Sequence, residues 1–221
     1  MGLFDRATYF ASAHDLEQLP RDTGNEVAFV GRSNSGKSSA INTLANHKRL
    51  AFVSKTPGRT QLINFFTLGD GHTLVDLPGY GYAKVPPAVK AHWTELLAAF
   101  VSTREALTGL VMIMDARHPM KPLDVELLNW YRPTNKPIHI LLTKADKLSK
   151  GEQSLTLKAV KNQLVEGQYN ATAQLFSSLK RTGVEEAEKA ISRLFASQVN
   201  ADKTEREEKE KGPEKGGTGP S

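Results

Sequence analysis

Gly31-Arg32-Ser33-Asn34-Ser35-Gly36-Lys37-Ser38 fits G-x-x-x-x-G-K-[ST] at every fixed position. The pattern carries meaning only with a strand before it and a helix behind it. Val27-Ala28-Phe29-Val30 is an apolar run of strand length, and residues 38–45 read as a helix. The glycines let the main chain approach phosphate oxygens without a Cβ in the way. Successive N–H groups and the positive end of the helix then favour negative charge. In such a loop Lys37 can neutralise β- and γ-phosphates, and the Ser38 hydroxyl can ligate Mg²⁺.

Downstream, strand and helix patterns alternate. Residues 62–68 and 73–76 flank Gly69-Asp70-Gly71, which reads as a hairpin turn. Residues 87–104 carry apolar side chains at helical spacing (Val89, Trp93, Leu96, Leu97, Phe100). Strands are expected at 110–114, 138–142 and 174–176, and helices at 123–131, 155–165 and 184–195. This order predicts an α/β chain with three layers: a mostly parallel six-stranded sheet, one strand antiparallel, helices on both faces.

Hydrophobic residues make up 39% and charged residues 24% of the 221, a balance suited to a soluble globular chain. There is no cysteine, which excludes disulfides and thiolate metal sites. No apolar run reaches membrane-spanning length and no signal pattern opens the chain, so a cytoplasmic protein without a membrane partner is expected. Residues 199–221 hold five Lys/Arg against six Asp/Glu. The formal net charge of +5 therefore arises before them. A basic folded part permits a polyanionic partner such as RNA, and equally a merely solvated surface. The same tail has almost no large apolar residue and ends in Gly and Pro, so residues 198–221 are expected to be a disordered, charged tail. Residues 1–197 then form one nucleotide-binding domain with a short N-terminal extension.

Two more boxes join the phosphate loop. Asp76-Leu77-Pro78-Gly79 ends the strand at 73–76. Asp76 there can hold Mg²⁺ through water opposite Ser38, and Gly79 can offer its N–H to a γ-phosphate. Between them, Ser54-Lys55-Thr56-Pro57-Gly58-Arg59-Thr60 offers Thr56 and Thr60 as candidates to complete the Mg²⁺ shell, or is simply a Pro-Gly turn. Thr143-Lys144-Ala145-Asp146 follows the strand at 138–142 and fits [NT]-K-x-D. The Asp146 carboxylate can accept from guanine N1–H and N2–H₂, a donor pair that adenine lacks. The Lys144 stem can cover the base. Ser177-Ser178-Leu179 can supply an N–H to guanine O6.

Together with Asp-Leu-Pro-Gly-Tyr-Gly-Tyr-Ala, Asp-Ala-Arg-His-Pro, Leu-Thr-Lys-Ala-Asp-Lys and Phe-Ser-Ser-Leu-Lys, these boxes resemble the EngB (YsxC/YihA) family of bacterial GTPases from about Phe10 to Phe195. The resemblance implies a P-loop GTPase fold and a GTPase acting in assembly of the large ribosomal subunit, with its rRNA and proteins as partners and a link to cell division. It implies that Thr60 joins Ser38 on Mg²⁺. It implies that Gly58, Arg59, Thr60, Gln61 and Leu62 line GTP or GDP with Gly31 to Ser38, Asp76 to Gly79, Thr143 to Asp146, and Ser177 to Leu179.

Tyr80 stands where Ras-like enzymes place the Gln that orients water. A phenol lacks amide geometry, so Tyr80 is not assigned as the catalytic residue and slow intrinsic hydrolysis is expected, quickened by a partner or a cation. Lys37, Asn34 and, by the resemblance, Thr60 are the catalytic candidates. Asn34 occupies the loop position that coordinates K⁺ in potassium-activated relatives, or else it stabilises the turn; turnover in matched KCl and NaCl separates the two. A monomeric GTP-driven switch is the leading reading. An RNA- or ribosome-binding module that keeps GTP as a structural ligand is the alternative.

Overall fold

A computed structural model of the chain describes residues 2–51, 62–81 and 87–196. Gly58 to Gln61, Thr56 and the tail from residue 198 lie outside the described residues. The strands are β1 (Thr8–Ala13), β2 (Asn25–Gly31), β3 (Ile63–Gly69), β4 (His72–Asp76), β5 (Leu107–Asp115), β6 (Ile138–Thr143) and β7 (Ala171–Leu175). The helices are α1 (Lys37–Leu44), α2 (Pro87–Thr103), α3 (Pro122–Tyr131), α4 (Lys150–Glu166) and α5 over residues 184–196.

The sheet has seven strands in the order β1-β3-β4-β2-β5-β6-β7. It thus exceeds the expected six by one, because the N-terminal extension adds β1 beside β3. Only β3 runs against the others: β1 and β4 both pair with it antiparallel, and the remaining pairs are parallel. The outer half of β1 is exposed, and its register slips between Tyr9 and Ala11. Such a bulged edge strand has no clean alternation for sequence reasoning to detect.

The buried strands alternate between two cores. Ala28 and Val30 of β2 face one with Phe100 of α2, Leu128 of α3 and Val160 of α4. Val27 and Phe29 face the other with Ile41 and Leu44 of α1 and Ile191 of α5. These cores are the helix layers on either side of the sheet. Helix α4 starts five residues before its apolar pattern. The Ser149 hydroxyl accepts from the Glu152 N–H, and the Glu152 carboxylate accepts from the Ser149 N–H, closing a capping box.

One buried ion pair anchors the end of the sheet away from the loops. Arg104 donates from Nε and Nη2 to the two carboxylate oxygens of Glu26, at 2.9 and 2.6 Å, and to the carbonyls of Pro20 and Arg21. Its guanidinium lies 5.7 and 5.9 Å from the rings of Phe65 and Phe100. Arg104→Met should cost about 3–5 kcal/mol, because it leaves Glu26 charged, buried and unpaired. Adding Glu26→Gln should recover much of the loss; chemical denaturation of the two variants checks both steps.

Candidate nucleotide site

In a sheet whose strands run mostly one way, their carboxyl ends share one edge, and loops leaving that edge converge. Here β2 ends at Gly31, β4 at Asp76, β5 at Asp115, β6 at Thr143 and β7 at Leu175. Every described box singled out from the sequence lies at this edge.

The loop from Gly31 to Ser38 is closely fitted. A Cβ on Gly31 would stand 2.7 Å from the Ile113 carbonyl and 2.8 Å from Ser35 Oγ, so only glycine fits there. Gly36 caps α1 with φ of +98°, in the left-handed region that other residues rarely enter. Asn34 is exposed with φ of +62°, a conformation asparagine tolerates better than most, which is compatible with either role expected for it. From the first turn of α1, the Lys37 ammonium donates to Asp76 Oδ1. Both groups are largely buried: 12% of the Lys37 side chain and 8% of that of Asp76 are exposed. Ser38 follows Lys37 in the same turn.

The segment after β4 continues pairing beside β2. Leu77 N–H donates to Phe29 O at 3.0 Å, and Tyr80 N–H donates to Gly31 O at 3.2 Å. Ser33 N–H donates to Tyr80 O at 2.8 Å. Pro78 is buried between these bonds, and Gly79 packs against Gly31 and Ser33. Leu62, the one described residue of the segment 58–62, precedes β3 and is half-buried.

Thr143-Lys144-Ala145-Asp146 is bonded to the phosphate loop. The buried Thr143 hydroxyl contacts the Ser35 carbonyl and lies 3.0 Å from the Met114 carbonyl. Lys144 takes φ of +57° and sends its ammonium to the Asn34 carbonyl at 2.6 Å and to Asp115 Oδ2 at 3.0 Å. Asp115 also accepts from the Arg117 guanidinium at 2.7 and 3.0 Å. Burial raises the Asp115 pKa, but these hydrogen bonds outweigh it and hold the carboxyl well below its ordinary range. Ala145 N–H donates to Phe176 O at 3.2 Å. Ser177 is buried and donates its hydroxyl to Asp146 Oδ1 at 2.5 Å, while its Oγ accepts from Lys180 N–H. Ser178 is half-buried, and the Leu179 side chain points to solvent.

Sequence reading assigned no role to Asp115 or Asp124. Asp115 had a signal: it opens the Asp-Ala-Arg-His-Pro box directly after the strand expected at 110–114. Asp124 had none, being 44 residues from the Tyr80 hydroxyl it binds. A cleft of about 290 Å³ lies beside the loop, lined by Ser33, Asn34, Asp115, Asp124 and Lys144 among others. A larger hollow of about 1090 Å³ along β7 contains none of the motif residues.

A glycine-fitted anion loop at a helix start, a lysine–aspartate pair joining β4 to it, and an aspartate loop bonded to its carbonyls define a P-loop nucleotide-binding protein of the GTPase class. A family model described as "50S ribosome-binding GTPase" matches residues 26–144. The probable GTP-binding protein EngB of Methylobacillus flagellatus is 62% identical over 197 residues, covering 89% of this chain and 95% of that one. Its counterpart in Neisseria meningitidis serogroup C is 57% identical over 197 residues, covering 88% and 94%. The chain belongs to the EngB family of GTP-binding proteins. Among solved structures, a probable GTP-binding protein EngB aligns with a TM-score of 0.62 at 20% identity, over 77% of this chain and 98% of that one. Aquifex aeolicus Era bound to GDP·AlF₄⁻ aligns with a TM-score of 0.60 at 23% identity, over 76% and 56%. These likenesses concern the fold. No described helix is long and apolar enough to cross a membrane.

Proposed function

We propose that this chain binds and slowly hydrolyses GTP, and acts as a nucleotide-dependent switch in assembly of the large ribosomal subunit, with an effect on cell division. The observation that carries the reading is the joint between phosphate loop and base loop. Thr143 and Lys144 bond to the Ser35 and Asn34 carbonyls, so the guanine-selecting and phosphate-binding elements form one frame. The resident metal suited to this donor set is Mg²⁺, a hard cation that takes oxygen ligands. The described residues suit it: Ser38 in the first turn of α1, and Asp76 at the end of β4 acting through water; Thr60, expected beside Ser38, lies outside the described residues. When bound, Mg²⁺ supplies charge neutralisation between the β- and γ-phosphates.

This chain's residues then divide the work. Main-chain N–H groups of residues 31–38 hold the phosphates, and Lys37 neutralises their charge. Gly58 to Leu62 and Leu77 to Gly79 line the γ-phosphate side. Asp146 reads the guanine edge, Lys144 covers the base, and Ser177 to Leu179 close the site beside O6. K⁺ at Asn34 is the candidate that takes the place of an arginine finger.

The ribosomal partner is supported by the family description and by the basic charge of the folded part. Co-sedimentation of the full chain with large ribosomal subunits, under GTP-analogue and GDP conditions, tests it. Binding should be stronger with the analogue and should fall steeply as salt rises from 50 to 200 mM, by orders of magnitude if several phosphates are contacted. Binding indifferent to nucleotide would sink the switch. The second reading, a ribosome-binding module with GTP as a structural ligand, is favoured by Tyr80 standing where a catalytic Gln is expected. Single-turnover hydrolysis with and without ribosomal particles separates the two; no hydrolysis in either favours the second.

A further inference from the structure

Tyr80 follows Gly79 directly, and the site as described gives its phenol no task. That phenol is not idle. Its hydroxyl donates to Asp124 Oδ1 at 2.7 Å. Asp124 sits in the first turn of α3 and is 1% exposed. Its other oxygen accepts from Lys121 N–H at 2.9 Å. Burial first, then the Asp124 charge, raise the Tyr80 pKa far above its ordinary value, so the phenol stays protonated and donates. The Tyr80 backbone meanwhile bonds on both sides to the phosphate loop, through Gly31 O and Ser33 N–H. The next residue, Gly81, has φ of +78°, and a Cβ there would stand 3.1 Å from Leu123 of α3. Residues 79–81 are therefore held between the phosphate loop and the start of α3. A side-chain hydrogen bond crosses that gap, from Tyr80 to Asp124.

We propose that Asp124, acting through Tyr80, is a positioning residue for the γ-phosphate-sensing segment 77–81. The Tyr80 hydroxyl bond keeps this segment docked on Gly31 and Ser33, against which Gly79 packs. The inference rests on the reading above that Gly79 meets the γ-phosphate. It also explains why a tyrosine suits a position where a water-orienting Gln is absent: the side chain faces α3 and serves as a tether. Phenylalanine preserves the ring and removes only the tether.

The test uses the full chain with Mg²⁺ and either GDP or a non-hydrolysable GTP analogue. In the native protein, amide exchange in peptides covering 77–81 should be slower with the analogue than with GDP. Tyr80→Phe should abolish most of that difference. It should lower the analogue-over-GDP affinity ratio by roughly ten- to a hundredfold, the size expected for a hydrogen bond to a charged group, while GDP affinity changes less than twofold. Asp124→Ala should lower the ratio similarly, and the double variant should lose no more than either single one. A native exchange difference that Tyr80→Phe leaves intact overturns the tether alone. Equal loss of GDP and analogue affinity, or additive losses in the double variant, also overturn it. No exchange difference in the native protein overturns the γ-phosphate reading beneath it.

Discussion

Lys37→Ala should reduce affinity for GTP and GDP by roughly two to three orders of magnitude, the range set by removing one member of a buried, hydrogen-bonded charge pair. The reason lies in where the ammonium sits. It is delivered by the first turn of α1 to Asp76 at the end of β4, with little of either side chain exposed. In such a setting charges act more strongly than in water. Alanine removes the cation expected to face the β- and γ-phosphates. It also removes the lysine partner of Asp76, whose charge then faces the polyanionic phosphates with Mg²⁺ alone between them, so attraction is lost and repulsion gained at one point. Lys37→Arg should not restore affinity, because a planar guanidinium does not replace a compact ammonium in a closely fitted loop. Titration with fluorescent GTP and GDP analogues measures the effect, and thermal melting of the free protein separates it from unfolding. Affinity within threefold of the native value would refute the role given to Lys37.

How much of this was legible in the sequence depends on how local each feature is. Gly31 to Ser38 is one uninterrupted segment between a strand and a helix, so its pattern and its geometry coincide. The alternation of strands and helices gave the layers and the single antiparallel strand β3 for the same reason. The edge strand β1 was hidden because its exposed, bulged half does not alternate. The contacts that join segments were hidden for a different reason. Thr143 to Ser35, Lys144 to Asp115 and Tyr80 to Asp124 each connect residues far apart in the chain. Residue types suggested which groups gather at the site, but only the fold shows which side chain holds which. Lys144 shows the difference. Its pattern marks it as a cover for the base, while its ammonium is fixed by Asn34 and Asp115.

Asp146→Asn should reverse base preference, from GTP toward xanthosine triphosphate, by a factor on the order of 10⁴–10⁵, the range for sites built to hydrogen-bond a particular edge. Asp146 lies in the turn after β6 and its side chain is 10% exposed. Ser177, from the loop after β7, donates to its Oδ1 and so fixes the plane of the carboxylate. A fixed, acceptor-only group suits guanine, which presents N1–H and N2–H₂ as paired donors. Xanthine carries a carbonyl at C2 instead, and a carboxylate would meet it acceptor to acceptor. An Asn keeps one acceptor and gains one donor. Its oxygen can still take the Ser177 hydroxyl, so the loop geometry should survive and the change should read out as specificity rather than folding. Ser177→Ala should act in the same direction on GTP affinity but far less, because it loosens the carboxylate without changing its chemistry. Competition of GTP and xanthosine triphosphate for the native and variant proteins supplies both numbers. An Asn variant that still prefers GTP would mean that guanine is selected elsewhere than at the turn after β6.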